Sequence, residues 1–386
     1  IIKPLFPFTE NVSEDDADDV ELEGPELFSP PRDDAAMTLQ GHKESVFCVT
    51  IDPTGTYLVS GGQDHVAIVW NLQTGEIMFT TEKLEDSVVC VAFSSDGNFL
   101  AVGDMAGGVR VWLRPEDGRS WTLLRSESVA DLSWLIWWQP TTIATRTKSS
   151  SAVLAAGDAD GLITVWSVTA TSRPSAGDDK RSKYLSSGIN VAATSAIYYL
   201  PSIQTDRPKL LVLYNNSELR LWDLKTEQSL ASLQLVPANG SSSDLTPSDP
   251  QVFCMTCPQL HSSYERATHD RDLLANSLAV GLTCLRWSST MPIFFTAASN
   301  GAVVSWPGVC GLTETDMTGF TRAPEPLAIF WGHRAMVLDL ALAPSSSGHS
   351  GSSTEDTLVE PFIASASDDS TIRVFSLKSL RMSATR

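Results

Sequence analysis

Basic residues are scarce in this chain of 386 residues, which has 27 Lys and Arg against 46 Asp and Glu and a formal net charge of −19. Binding to nucleic acid relies on Lys and Arg side chains that neutralise phosphates, so the composition argues against nucleic acid as a direct partner. The acidic charge would suit a basic peptide or protein, because opposite fields steer association. Solubility explains the charge equally well, so composition alone does not choose between the two.

Cysteine and long apolar runs are also sparse. The six cysteines are scattered over the chain, which is not the density of a disulfide scaffold. No run of 18 apolar residues is present, and the first residues, IIKPLFPFTENVSEDD, lack the basic and then apolar pattern of a secretory signal. We therefore expect a reducing, intracellular setting, with the cytoplasm favoured and the nucleus as an alternative, and no membrane partner.

The motifs of common enzymes are missing as well. The sequence has no phosphate-binding loop, no metal-ligand cluster and no nucleophile elbow. Cys254 and Cys257 form a C-x-x-C pair, but a zinc site would need a second pair or nearby histidines, so core packing is the better interpretation. We expect a protein that is not an enzyme, with no catalytic residues, no cofactor and no metal.

Residues 1–34 differ in composition from the rest of the chain. They contain eleven acidic and two basic residues, and such a segment buries too little apolar area to offset the entropy of ordering it. The sequence therefore predicts an acidic, flexible segment over residues 1–34. The remaining residues, 35–386, are predicted to form one domain.

A repeated pattern of short strands begins near residue 38. Apolar residues alternate in SVFCVTID, TYLVSGG, VAIVWNL and EIMFTT, and turn residues separate these runs. Alternation of this kind predicts β-strands joined by tight hairpins. One unit is thus a four-stranded antiparallel meander of about forty residues.

The third strand of each unit ends in an aromatic residue. These residues are Trp70, Trp112, Trp166, Trp222, Trp306 and Phe375. The first two are 42 residues apart, and the 84 residues between Trp222 and Trp306 leave room for a further unit with the strands QVFCMTC and SLAVG. This period with strand content predicts an all-β fold, a β-propeller. Seven units can be counted, one of them incomplete, and residues 36–40 are expected to complete the last blade and so remove the open edges.

Polar residues recur at fixed distances from the blade aromatic. The first blade has Gly41, His42, Ser60, Asp64 and Trp70, and the last blade has Gly332, His333, Ser365, Asp369 and Phe375. This pattern resembles the WD-repeat family, in which such residues form a hydrogen-bonded chain within each blade. The same residue types occur in hydrolase triads, but the spacing favours a buried, satisfied network that fixes blade geometry.

Longer segments have a narrower resemblance. SVFCVTIDPTG, GDMAGGVRVW and SVADLSWLIWW are similar to the angio-associated migratory cell protein group, which includes the SQT-type chaperone of ribosome assembly in yeast. The resemblance implies eight blades, whereas seven units can be counted. Either a stretch is missing from this sequence between Gly281 and Leu282, which is the favoured interpretation and gives eight blades, or the ring here has seven blades. It also implies a monomeric chaperone that binds the basic amino-terminal segment of a newly made uL16-type ribosomal protein for large-subunit (60S) assembly. A signalling or cytoskeletal scaffold and a ubiquitin-ligase substrate receptor are the alternatives.

Acidic residues recur in the turns that a WD-repeat propeller places on one face. The predicted peptide-binding acids are Glu44, Glu85, Asp86, Asp104, Glu127, Asp158, Glu218 and Asp368. Carboxylates there could form bidentate pairs with arginine side chains, although turns are polar in most proteins. Trp137 and Trp138 are predicted as a possible aromatic contact, because one of two successive strand residues should face outwards and could stack on an arginine.

Overall fold

A computed structural model describes residues 29–115, 120–138, 151–170, 183–186, 191–199, 209–216, 218–234, 281–288, 293–307, 326–343 and 361–378. The described residues form 24 strands, arranged in six antiparallel sheets of four strands. The predicted strand QVFCMTC and nearly all of SLAVG lie outside the described residues, so the seventh and eighth blades stay predictions.

The first three sheets follow each other along the chain. Sheet 1 contains β2 (Val46–Ile51), β3 (Tyr57–Gly62), β4 (Ala67–Asn71) and β5 (Ile77–Thr80). Sheet 2 contains β6 (Val88–Phe93), β7 (Phe99–Asp104), β8 (Gly108–Leu113) and β9 (Thr122–Ser128). Sheet 3 contains β10 (Leu132–Trp138), β11 (Ser151–Asp158), β12 (Leu162–Thr169) and β13 (Lys183–Ser186).

The other three sheets include one that joins the two ends of the chain. Sheet 4 contains β14 (Ala193–Tyr199), β15 (Lys209–Tyr214), β16 (Glu218–Asp223) and β17 (Gln228–Gln234). Sheet 5 contains β18 (Leu282–Trp287), β19 (Ile293–Ala298), β20 (Val303–Pro307) and β21 (Ala328–Phe330). Sheet 6 contains β22 (Val337–Leu342), β23 (Phe362–Ser367), β24 (Thr371–Ser376) and, as its outer strand, β1 (Met37–Gln40).

The composite sheet 6 confirms the predicted closure by residues 36–40. Met37 pairs with Val374 and Gln40 pairs with Thr371, in antiparallel register. Contacts extend further toward the amino terminus, since the Asp34 N–H donates to the Trp331 carbonyl at 2.9 Å. The Arg373 guanidinium donates to the Asp33 carboxylate. Residues 33 and 34, which fall inside the segment predicted to be flexible, therefore contact the propeller.

The first strand of every sheet carries the same irregularity. A β-bulge separates its first and third residues, as between Val46 and Cys48 in sheet 1 and between Val88 and Cys90 in sheet 2. The start of the first strand pairs with the end of the second, for example Val46 with Gly62. The turns before the first strand and after the second therefore share one edge of each sheet, which we call the upper edge.

The bulge lets the third residue of the first strand reach the neighbouring sheet. The Trp134 indole N–H donates to the Ala193 carbonyl at 3.0 Å. The Cys48 thiol donates to the Val88 carbonyl at 3.6 Å. Contacts of this kind, together with shared apolar clusters, place the sheets side by side in the order 5, 6, 1, 2, 3, 4. Apolar residues are buried mainly between neighbouring sheets, which confirms the predicted all-β propeller.

Within sheets 1 and 6 the polar residues of the repeat form hydrogen-bonded chains. The Trp70 indole N–H donates to Ser60 Oγ at 2.8 Å, and His42 Nε2 lies 2.8 Å from the same oxygen. The Ser60 hydroxyl then donates to Nε2, so that His42 Nδ1 donates to the Asp64 carboxylate at 3.0 Å. In sheet 6, His333 contacts Ser365 at 2.7 Å and Asp369 at 3.0 Å in the same way.

Two of the other blade tryptophans have different acceptors. The Trp306 indole donates to Thr296 at 2.8 Å, and the Trp222 indole donates to the Tyr214 hydroxyl at 3.2 Å. In sheet 3 the residue at the position of Ser60 is Ala156, which has no acceptor on its side chain. The buried Trp166 indole nitrogen accordingly has no hydrogen-bond partner among the described residues.

Supplying the missing acceptor should stabilise sheet 3. We expect Ala156→Ser to raise the free energy of unfolding by about 0.5–1.5 kcal/mol, because the new hydroxyl would accept from the Trp166 indole. Urea denaturation followed by tryptophan fluorescence measures the change. The control is Ala155→Ser on the adjacent buried residue, which should destabilise the protein because its hydroxyl meets an apolar cluster. A stability of Ala156→Ser equal to or below that of the control would contradict the assignment.

The His333 network should make the protein sensitive to acid. Burial lowers the pKa of His333, against the opposing effect of Asp369. Burial alone would raise the pKa of Asp369, but hydrogen bonds from His333 and Thr371 hold it well below its usual range. Both groups bind more protons when the chain is unfolded, so their stabilisation is complete above a pH of about 6.5 and is lost on acidification. The part of this stabilisation that comes from Asp369 is lost below a pH of about 4.

We expect His333→Gln to flatten the decline in unfolding free energy between pH 7 and pH 5. Urea midpoints measured across that range report the slope. Ala155→Ser serves as a variant destabilised without change of a titrating group, and its slope should match that of the unaltered protein. An unchanged slope in His333→Gln would show that this histidine does not carry the dependence.

Candidate functional site

The upper edge brings acidic side chains of sheets 1, 2 and 3 to a common face. Glu44 and Glu85 are exposed in the turns that precede β2 and β6, and Asp86 is half-buried beside Glu85. Two further exposed acids lie on the same edge of sheet 3, Asp131 directly before β10 and Asp160 in the turn after β11. Asp131 was missed from the sequence, although it holds the position of Ser45 and Ser87 in the other two sheets.

Two of the predicted acids, Asp104 and Asp158, are buried and bonded to backbone. The Asp104 carboxylate accepts the Gly108 N–H at 2.7 Å and also the N–H of Glu85. Asp158 accepts the Leu162 N–H at 2.8 Å. Burial raises the pKa of both carboxyl groups. With 1% and 2% of their surface exposed, they are poorly placed to contact a ligand, and their predicted role in binding stays a prediction.

Asp104 does in sheet 2 what Asp64 does in sheet 1. Asp64 accepts the N–H of Lys43 at 3.0 Å, and Lys43 corresponds to Glu85 in the turn before the first strand. Counted from the blade tryptophan, Asp104 lies two residues earlier in its repeat than Asp64 does, but its side chain reaches the equivalent turn. Burial alone would raise the pKa of Asp64, but hydrogen bonds from His42 and Lys43 lower it. Sheet 2 has no histidine at the position of His42, so no such hydrogen bond offsets the effect of burial on the pKa of Asp104.

Three other predicted acids have partners within the protein. Glu127 and Arg125 form an ion pair of 3.2 Å on β9, and Glu218 and Arg220 form one of 2.7 Å on β16. Asp368 accepts a hydrogen bond from the Ser45 hydroxyl, which links sheet 6 to sheet 1. The negative charges of Glu127 and Glu218 are therefore partly compensated before any ligand arrives.

The structure does not bring the two predicted tryptophans to this edge. Trp137 is buried, stacks on Phe99 with ring centroids 5.7 Å apart, and donates to the Ala92 carbonyl at 3.0 Å. Trp138 is half-buried. Both residues end β10, whereas the acids lie at its start, about 17 Å away for a strand of this length.

Basic side chains are fewer on the upper edge. The exposed acids in the turns of sheets 1–3 are Glu44, Glu82, Glu85, Asp131 and Asp160. The exposed bases in the corresponding turns of sheets 1, 2 and 6 are Lys43, Lys83 and Arg334. Within the described ranges, no ion pair joins Glu44, Glu85, Asp131 or Asp160 to a basic residue. These four carboxylates remain available to cations from outside.

The described part of the chain offers neither a metal site nor a membrane-spanning helix. No group of three or more His, Cys, Asp or Glu side chains there is placed to hold a metal ion. Cys254 and Cys257 lie outside the described residues. No described helix has the length and apolar character needed to cross a membrane.

The buried and exposed acids should respond differently to truncation. We expect Asp104→Ala to lower the free energy of unfolding by about 1–3 kcal/mol, because two backbone N–H groups lose their acceptor. Glu85→Ala is the matched control, since it keeps the backbone N–H and removes only an exposed side chain, and it should change stability by less than about 0.5 kcal/mol. Chemical denaturation measures both. Equal stability of the two variants would mean that Asp104 does not clamp the turn.

Comparison with known proteins agrees with this architecture. The family described as "WD domain, G-beta repeat" matches residues 34–71, 77–112 and 324–376. The human angio-associated migratory cell protein is 28% identical, with alignment of 84% of this chain and 78% of that protein. The ribosome assembly protein SQT1 of Saccharomyces cerevisiae is 28% identical over 31% of this chain and 29% of its own length.

A solved structure shows the same fold. The crystal structure of Sqt1 from Saccharomyces cerevisiae superposes with a TM-score of 0.59, covering 89% of this chain and 99% of that one, at 17% identity. Such identity supports the fold alone. The sequence matches show that this chain carries WD40 repeats and is homologous to angio-associated migratory cell protein and to the yeast ribosome assembly protein SQT1.

Proposed function

We propose that this protein is a dedicated chaperone for a newly made large-subunit ribosomal protein of the uL16 type. The upper edge would hold the basic amino-terminal segment of that client until it joins the assembling 60S subunit. Homology to a ribosome assembly protein supports a role in ribosome assembly. The observation that carries the binding mode is the set of exposed carboxylates, Glu44, Glu85, Asp131 and Asp160, that form no internal ion pair in the described structure.

Electrostatics would supply both attraction and orientation. A carboxylate can accept two parallel hydrogen bonds from an arginine guanidinium, which fixes direction as well as distance. A single exposed ion pair contributes only about 0.2–1 kcal/mol, so useful affinity requires several acids acting on one segment. Four unpaired carboxylates spread over three neighbouring sheets meet that requirement for an extended basic peptide.

The fold favours binding over catalysis. WD40 propellers serve as rigid scaffolds, and the described side chains that resemble a hydrolase triad by type, His42, Ser60 and Asp64, are engaged with each other and with Trp70. A monomer that meets its client in the cytoplasm, where ribosomal proteins are made, fits this proposal. The net charge of −19 supports a basic protein client rather than direct contact with nucleic acid.

Affinity for the client segment should fall steeply with salt. We expect the Kd of a synthetic peptide with the sequence of a uL16-type amino terminus to rise at least about tenfold between 50 and 300 mM NaCl, because exposed pairs are screened over about 8 Å at physiological ionic strength. Isothermal titration calorimetry measures the Kd. Equal affinity at both salt concentrations would rule out electrostatic capture.

Position should matter as much as total charge. Glu44→Lys combined with Glu85→Lys should weaken peptide binding by about tenfold or more, since two attractive contacts become repulsive. The matched control combines Glu76→Lys with Glu227→Lys, which changes net charge equally at the opposite edge, in the turns before β5 and β17. Similar losses of affinity in both double variants would mean that only the net charge of the protein affects binding, and would exclude the upper edge as the binding site.

A further inference from the structure

The exposed charges of the upper edge differ from sheet to sheet. The turns of sheet 6 expose Arg334, and those of sheet 1 expose Lys43 and Glu44, whose charges are opposite. The turns of sheet 3 expose Asp131 and Asp160. The turns of sheet 2 carry more acids than bases, with Glu82, Glu85, Asp86 and Lys83. The described part of the edge therefore changes from basic to acidic along the neighbouring sheets 6, 1, 2 and 3.

Three of these residues occupy the same backbone position. Arg334, Lys43 and Glu85 each lie three residues before the first strand of their sheet. The backbone N–H of each donates to an aspartate carboxylate of its own sheet, at 2.9 Å for Arg334 and 3.0 Å for Lys43. Because the same hydrogen bond holds each turn, the three side chains leave the edge from equivalent points. They form a row across sheets 6, 1 and 2 with the charges plus, plus and minus.

The two cations of this row have no ion-pair partner within the described ranges, although both side chains are exposed. Other described arginines do pair with a carboxylate: Arg32, Arg114, Arg125, Arg220, Arg286 and Arg373. An edge that only attracted a basic segment would gain nothing from Arg334 and Lys43, since each repels such a segment. On a protein with a net charge of −19, these two cations provide a place for a negative group.

The spacing of the row is large enough for the order of charges to matter. Packed sheets lie about 10 Å apart and an extended chain advances about 3.3 Å per residue, so about three residues of a bound segment cover one sheet. Exposed charges are screened over about 8 Å at physiological ionic strength. Each side chain of the segment therefore interacts mainly with the sheet beneath it, and the edge distinguishes the arrangement of charges as well as their sum.

We propose that the segment bound at the upper edge carries acidic residues beside its basic stretch. The basic residues lie over sheets 2 and 3, and carboxylates about three and six residues further along lie over sheets 1 and 6. There the Lys43 ammonium and the Arg334 guanidinium donate to them. This inference rests on the proposed function and adds which part of the client segment lies over which sheet.

Two synthetic peptides with blocked ends test the cationic half of the edge. Both contain six arginines, followed by Asp-Gly-Gly-Asp in one and by Asn-Gly-Gly-Asn in the other. Net charge alone predicts weaker binding of the aspartate peptide to an acidic protein. We expect the aspartate peptide to bind the unaltered full-length chain at least as tightly as the asparagine peptide, because its carboxylates meet Lys43 and Arg334. Isothermal titration calorimetry at 50 mM NaCl measures both Kd values.

Reversal of the two cations should reverse this preference. In Lys43→Glu combined with Arg334→Glu, the aspartate peptide should bind at least about threefold more weakly than the asparagine peptide. Lys43→Gln combined with Arg334→Gln, which adds no like charge, should shift the ratio of the two Kd values in the same direction by a smaller factor. The matched control, Lys225→Glu combined with Lys378→Glu, changes net charge equally at exposed positions of the opposite edge and should keep the ratio of the unaltered chain.

The outcomes separate this inference from the proposed function. An aspartate peptide that binds more weakly by the same factor to the unaltered chain and to every variant would overturn the inference alone, since the salt-dependent binding of the uL16-type peptide does not depend on it. If neither peptide bound at low salt, electrostatic capture at the upper edge would be excluded, and the inference and the proposed function would both be overturned.

Discussion

The structure depends on one constraint, that a four-stranded sheet with two apolar faces is stable only when a neighbour covers each face. Val59, Ala67 and Val69 on one side of sheet 1, and Val46, Val49 and Leu58 on the other, lie in two different apolar clusters. Sheets 1, 2, 3 and 6 each contribute in this way to two cores that they share with their neighbours. The bulge in the first strand adds polar contacts to this packing, because it directs the third side chain to the backbone of the next sheet. Stability is consequently shared around the ring, and the arrangement is rigid enough to present side chains at fixed positions along the upper edge.

The same edge uses carboxylates in two ways. Asp64, Asp104, Asp158 and Asp369 accept backbone N–H groups of the turns and hold those turns in place. Glu44, Glu85, Asp131 and Asp160 project beyond the turns into solvent. The buried set keeps the edge in shape, and the exposed set gives it a negative field. Acids that hold the turns and acids that face solvent can thus lie within a few residues of each other on one edge.

Much of the architecture could be predicted from the sequence, because alternation, turn residues and the spacing to the blade aromatic all report local geometry. The strands, the order of the repeats and the use of residues 36–40 in the last sheet follow from such signals. Burial of individual acids could not be predicted in this way. Asp104 lies one residue before the exposed Met105, and a shift of one position in a strand changes the face of a side chain. Trp137 and Trp138 do not lie at the upper edge for a related reason. They are the last two residues of β10, a seven-residue strand whose first residue lies at that edge.

The composite sheet 6 also has a consequence for synthesis on the ribosome. Its inner strands are made after all other described strands, whereas its outer strand, Met37–Gln40, is made before them. Until β24 has been made, β1 lacks this partner, and the face of sheet 1 that packs against sheet 6 stays uncovered. The strand β1 therefore waits for more than 330 residues before its backbone hydrogen bonds to β24 can form. A nascent chain of this kind keeps an unpaired edge over that interval, a state in which bound factors or rapid elongation would determine how much of it reaches the folded form.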